Sequence, residues 1–158
     1  MVTRLAPDAR SIVKNAEAEA RSHRSSLVEA EHLLLALSRQ AETDAAGVLA
    51  AVGLFHSAIE TALSREFESS LATAGVSASL SSLRQSSPDP SRRLRLGASF
   101  KAAMVRAVRA AEDARQIRPA HLLLGVVEAQ AGTVPRALHL AGVDQTELID
   151  LTRRALTD

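Results

Sequence analysis

The chain reads as all-α: two tandem, pseudo-symmetric repeats of four helices each, about eight helices in one domain. Three observations predict this. Apolar residues recur at helical spacing, as in Ala9, Ile12, Val13, Ala16 and Ala20. The stretch from Glu31 to Leu37 (Glu-His-Leu-Leu-Leu-Ala-Leu), too apolar for a surface, returns in altered form from Ala120 to Val126 (Ala-His-Leu-Leu-Leu-Gly-Val). The interior must be filled by Ala and Leu, because Phe55, Phe67 and Phe100 are the only aromatic residues; small side chains suit close-packed helices.

The internal repeat sets the domain plan. At a fixed offset of 89, His32 to Leu35 fall on His121 to Leu124, Leu49 on Leu138 and Gly53 on Gly142, with no gap from Glu31 to Leu63. Upstream, with two residues fewer in the second copy, Leu5 lies over Leu96 and Ala9 over Phe100. The expected division is residues 1–68 for repeat one, 69–95 for a linker and 96–158 for repeat two.

Taken in order, Pro7 opens the first helix, since its missing N–H would be unpaired there anyway, and Asp8 complements the helix dipole. The helix ends in a polar turn near Ser22 to Ser26. The leucine run predicts a second helix from Ala30 to Ser38, buried nearly all round. Asp44 is expected to cap a third helix carrying Val48, Leu49 and Val52, and Gly53 to end it in a left-handed conformation. A fourth runs from Phe55 through Ile59, Leu63 and Phe67. Serines, Gly75, Pro88 and Pro90 mark the linker, where Leu71, Val76, Leu80 and Leu83 could extend a helix or dock on the core.

Repeat two follows the same plan. Phe100, Met104, Ala107, Val108 and Ala111 mark its first helix, and Pro119 opens its second. Thr133 caps its third, with Pro135 in the first turn, and Gly142 ends it. Asp144 and Glu147 form a capping box for the last, which buries Leu148, Leu151 and Ala155 or Leu156.

Composition excludes several classes. Net charge is +1, which gives no bulk electrostatic case for nucleic acid. No cysteine means no disulfide and no thiolate metal site, and fits a reducing, cytoplasmic setting. The start leads into no long apolar run, so neither a signal peptide nor a membrane span is expected. There is no Gly-x-x-x-x-Gly-Lys-Ser/Thr, no Gly-x-Ser-x-Gly and no His-Glu-x-x-His, so no catalytic residues, metal site or cofactor are expected.

The repeated Glu-His-Leu-Leu-Leu block resembles the Clp ATPase N-terminal domain family, built of two Clp-N repeats. Leu5-Ala6-Pro7-Asp8-Ala9 and Val52-Gly53-Leu54 flank the block at the family's distances, as does Ala141-Gly142-Val143 in repeat two. The resemblance is to ClpC-like members and covers nearly the whole chain except the linker. It implies a non-enzymatic recognition domain of the Clp chaperone-protease system. Its partners would be Clp system proteins, clients or adaptors, phosphoarginine-bearing segments or cyclic peptide ligands. The chain stops two residues after Leu156 with no ATPase module. If complete, it would act as an adaptor or decoy; if a piece, the motor lies elsewhere.

The resemblance also implies a phosphoarginine site at Glu31, with Ala6 and Pro7 beside it. The carboxylate would take the guanidinium while helix-start amides take the phosphate. The competing reading, an exposed acid stabilising a helix N-terminus, is the stronger on sequence, because Ala30 and Ala6 stand where the family has Thr. In repeat two Pro119 and Ala120 replace the Thr and Glu, so that site is expected to be dead. Leu5, Phe67, Leu96, Phe100 and Lys101 are placed near an inter-repeat groove. For His32 and His121, packing or first-turn hydrogen bonding is favoured over metal ligation; His23, His56 and His139 are read as solitary surface residues. The competing functional class is a helical regulator that binds nucleic acid or a partner through Arg92, Arg93 and Arg95, although a solvated linker is the favoured reading of that cluster. A third is a scaffold that only dimerises.

Overall fold

The computed structural model describes residues 4–75 and 91–158. Among these it contains eight helices: α1 Pro7–Ser22, α2 Ala30–Arg39, α3 Asp44–Ala51, α4 His56–Thr73, α5 Ala98–Ala110, α6 Pro119–Val127, α7 Thr133–Leu140 and α8 Gln145–Thr157. The all-α reading stands. Four two-residue strands were not expected: β1 Arg4–Leu5, β2 Leu27–Val28, β3 Arg95–Leu96 and β4 Gln116–Ile117.

These strands show how the repeats join. β1 pairs in parallel with β4, and β2 with β3, so each repeat borrows its strand partner from the other. The helices cross over in the same way. α1 packs on α2 and α5 on α6 within each repeat, whereas α4 packs on α7 and α8 on α3 between repeats. α2 and α6 meet at the centre, where Leu33, Leu34, Leu35 and Leu37 face a core shared with Leu122, Leu123 and Val126. Burying such a side chain is worth roughly 1.5–3 kcal/mol, and neither repeat alone offers enough surface to cover its leucines.

Local chemistry explains the helix ends. Pro7 and Pro119 sit in the first turns of α1 and α6. Gly53 and Gly142 close α3 and α7 at φ 74° and 73°, the left-handed region a side chain disfavours. Gly125 lies where α6 crosses α5: a Cβ there would collide with the carbonyl oxygen of Ala103.

Several expectations are corrected. Thr43, not Asp44, caps α3, its hydroxyl accepting the Ala46 N–H at 3.2 Å; Asp44 is the first helical residue. Gly132 at φ 107° precedes α7, and Thr133 is likewise inside the helix. Asp144 caps α8 by accepting the Thr146 and Glu147 N–H groups. On α4 the buried stripe is Ile59, Ala62 and Glu66, with Leu63 and Phe67 half-buried. Val108 is exposed, and on α8 Thr152 is fully buried, its hydroxyl donating to the Leu148 carbonyl. α4 runs on to Thr73 and includes Leu71; Val76, Leu80 and Leu83 lie outside the described residues.

Candidate ligand groove

Both histidines of the repeated block act on their own helix starts. His32 Nδ1 accepts the Glu29 N–H and His121 Nδ1 accepts the Arg118 N–H, each at 2.9 Å. An imidazole that accepts through Nδ1 carries its proton on Nε2 and is neutral. Burial enforces this, pushing His32 down to about 4 and His121 below its ordinary value. The first-turn hydrogen-bonding role is therefore what the geometry shows.

Glu31 stands one residue before His32, at the edge of a groove of about 970 Å³. The end of α1 (Ser22, His23), the start of α2, the outer face of α4 and Thr133 at the start of α7 form its walls. Leu63 and Phe67 supply apolar surface, with buried Leu35 beneath them, while Arg24 and Arg65 are exposed. Glu31 is half-buried rather than exposed. Burial is the main cause raising its carboxyl above the usual range, with the negative charges of Glu29 and Glu66 adding to it. Glu66, buried on the groove wall, is satisfied by the Ser70 hydroxyl at 2.6 Å and Arg136 Nε at 2.9 Å.

A further acid, Glu19 on α1, is buried. It pairs with Arg39 Nε, and His56 Nε2 lies 3.2 Å away. His56 is thus part of a cluster rather than solitary, and His23 also joins it, 3.6 Å from Glu60. His139 is exposed at the end of α7. Among the described residues no group of three His, Asp or Glu side chains is placed to hold a metal ion.

The residues predicted to act together are dispersed. Ala6 caps α1 and donates its N–H to the Ile117 carbonyl, beside the start of α6. The groove meets the other end of α1, sixteen residues away, a helix length of about 24 Å. Ala6 and exposed Pro7 therefore do not share a site with Glu31. Of the inter-repeat set, only Phe67 lines this groove. Leu5 and Leu96 belong to the two separate sheets, Phe100 is in the core and Lys101 is exposed on α5.

Arg92, Arg93 and Arg95 are exposed, and their segment lies along α1. The Arg92 carbonyl accepts from Arg21, Leu94 N–H donates to Glu17 Oε1 at 3.1 Å, and Arg93 Nε is 4.0 Å from Glu17. The Leu94 hydrogen bond is the largest of the effects that hold the Glu17 carboxyl low.

The start of α6 is built differently from that of α2. Asp44 Oδ1 accepts the Ala120 N–H at 2.9 Å, and Arg118 Nη1 lies 3.7 Å from Asp44 Oδ2. Arg118 Nη2 also donates to the carbonyls of Leu156 at 3.0 Å and Ala155 at 3.3 Å, at the end of α8.

The family model described as the Clp repeat (R) N-terminal domain matches residues 4–115, well over half the chain. The chain belongs to this family. Clp-N domains are non-catalytic interaction domains of Clp/Hsp100 chaperones, generally involved in binding substrates or adaptors. Among solved structures, the N-terminal domain of ClpD from Arabidopsis thaliana shares the fold at TM-score 0.68 and 20% identity, covering 100% of this chain and 98% of that one. The Hsp104 N-terminal domain from Candida albicans does so at TM-score 0.68 and 15% identity, over 94% and 89%. A structure described under preliminary structural investigations of a malarial protein secretion system matches at TM-score 0.68 and 15% identity, over 96% and 93%. No curated protein matches the sequence.

Sequence reasoning passed over Glu19 and Glu66, and read Thr133 only as a helix cap. The two glutamates carried a usable signal. Each falls on the buried stripe of its helix, Glu19 beside Ala16 and Ala20, Glu66 after Ile59 and Ala62, where a lone acid needs a partner. Thr133 reaches the groove only through the crossing of α4 and α7, which no local pattern encodes.

Proposed function

We propose that this Clp-N domain is a non-enzymatic recognition module, two repeats (1–68 and 96–158) joined by residues 69–95, that holds client or adaptor proteins of a cytoplasmic Clp system in the Glu31 groove. The observation that carries the reading is the groove itself: a half-buried carboxylate at a helix start, beside apolar walls and an aromatic ring. Glu31 would take a guanidinium, Phe67 would cover its face, and Leu63 would receive the neighbouring apolar side chain. Exposed Arg24 and Arg65 could meet a phosphoryl group, so a phosphoarginine-bearing segment is one ligand to test. Nothing in the surroundings of Arg92, Arg93 and Arg95 favours the nucleic-acid reading.

The test is capture of an unfolded client protein such as casein by the immobilised domain, beside Glu31→Gln and Phe67→Ala. Loss of capture in both variants, with unchanged thermal unfolding, supports the reading. Retention in both shows that recognition lies on another face.

A further inference from the structure

The pseudo-symmetry supplies an internal comparison that identifies the groove's guest, granted that the groove is the client site. Arg118 contacts Asp44 and the carbonyls of residues 155 and 156. Carried across the 89-residue offset, these three positions become Thr133, Glu66 and Phe67, and all three line the Glu31 groove. Arg118 itself corresponds to Glu29, whose carboxylate is turned away to the Ser99 N–H at 3.2 Å. In repeat two, therefore, a guanidinium of the chain fills the seat between the fourth helix, the other repeat's third helix and the start of the second. In repeat one no side chain from the start of the second helix fills the corresponding seat; Arg136 of α7 reaches only its Glu66 edge, and the groove beside Glu31 is open.

We infer that this seat takes an unmodified, cationic arginine side chain, presented by an extended basic segment of a partner protein, in preference to phosphoarginine.

Acceptor chemistry supports this. In repeat two the acceptors are two backbone carbonyls of α8, those of Ala155 and Leu156. In repeat one α4 continues to Thr73, so the carbonyls of Glu66 and Phe67 are used within the helix. Carboxylates take their place: Glu31 and Glu66 stand where repeat two has Ala120 and Ala155. Glu66 is already paired with Arg136, whereas the described residues give Glu31 no Lys or Arg ion pair. Charge points the same way. Glu31, Glu60, Glu66 and Glu68 line the groove against Arg24 and Arg65. A guanidinium brings the missing positive charge; a phosphorylated one arrives with net negative charge and must sit among carboxylates.

The experiment uses the whole chain and three short capped peptides, identical but for a central arginine, phosphoarginine or citrulline. Amide and methyl NMR shifts of Leu35, Phe67 and Thr133 report the groove. The arginine peptide should shift these resonances and bind about tenfold or more tightly than the citrulline and phosphoarginine peptides. Glu31→Gln should reduce its affinity by a similar factor. Equal or tighter binding of the phosphoarginine or citrulline peptide overturns the inference while the groove remains a client site. Absence of groove shifts with all three peptides, where casein capture still depends on Glu31 and Phe67, overturns the inference alone; absence of both overturns the client reading with it.

Discussion

Acid should weaken this fold through one imidazole, and by a calculable amount. His32 is 5% exposed and its Nδ1 already accepts the Glu29 N–H, so a proton there would set two N–H groups against each other. The native state holds its pKa near 4, while the unfolded chain returns it to 6.5. Between those values the unfolded state binds the extra proton, so stability falls as pH falls. The contribution is complete above the unfolded value and is lost on the way down to the folded one, at up to about 1.4 kcal/mol per pH unit. From pH 7 to pH 5 the loss is about 2 kcal/mol, approaching roughly 3 kcal/mol below pH 4. Glutamine can accept the same N–H, since Gln is a normal capping-box residue at the third helical position, and it does not titrate. Urea unfolding of wild type and His32→Gln at half-unit pH steps isolates the effect, because every other titrating group is common to both. The two curves should diverge by about 2 kcal/mol over that interval. Parallel curves would refute the assignment of a buried, neutral His32.

Three further outcomes are expected. Gly125→Ala should destabilise by about 1–3 kcal/mol in urea unfolding, because its Cβ meets backbone of α5 that cannot yield as a side chain can; a neutral result would mean that α5 and α6 can separate. Asp44→Ala should cost about 1–2 kcal/mol, mostly by stranding the Ala120 N–H, since the longer Arg118 contact is partly solvated; a calorimetric scan beside wild type measures it. Client affinity at the groove should be steady above the raised pKa of Glu31 and weaken as pH falls through it, because a protonated carboxyl no longer attracts a cation. Glu31→Gln should flatten that profile, and an unchanged slope would place the titrating group elsewhere.

Much of the fold was written locally. Proline at helix starts, glycine at helix ends and the leucine run need only near neighbours to be read, and α1, α2, α6 and the ends of α3 and α7 follow them. The misreadings share a physical cause. Asp44 has the chemistry of a cap, yet its carboxylate is drawn to an N–H of the other repeat, 76 positions away. Val108 and Leu63 fit a helical stripe, but which face is covered depends on where the partner helix crosses. The two-residue strands are too short to leave a period. At the groove, Glu31 stood out through its place in the block, whereas Phe67, a rare aromatic, was grouped with the inter-repeat set instead. Their convergence with Thr133 was not visible, and Ala6 and Pro7 were misplaced because neighbours in a motif need not be neighbours in space.

The exchanged strand pairs make the two halves behave as an obligate heterodimer that happens to travel on one polypeptide. A protease that cuts between residues 75 and 91 should leave a nicked complex that still elutes as one species. Either piece expressed alone should aggregate, and mixing the two from denaturant should restore the whole.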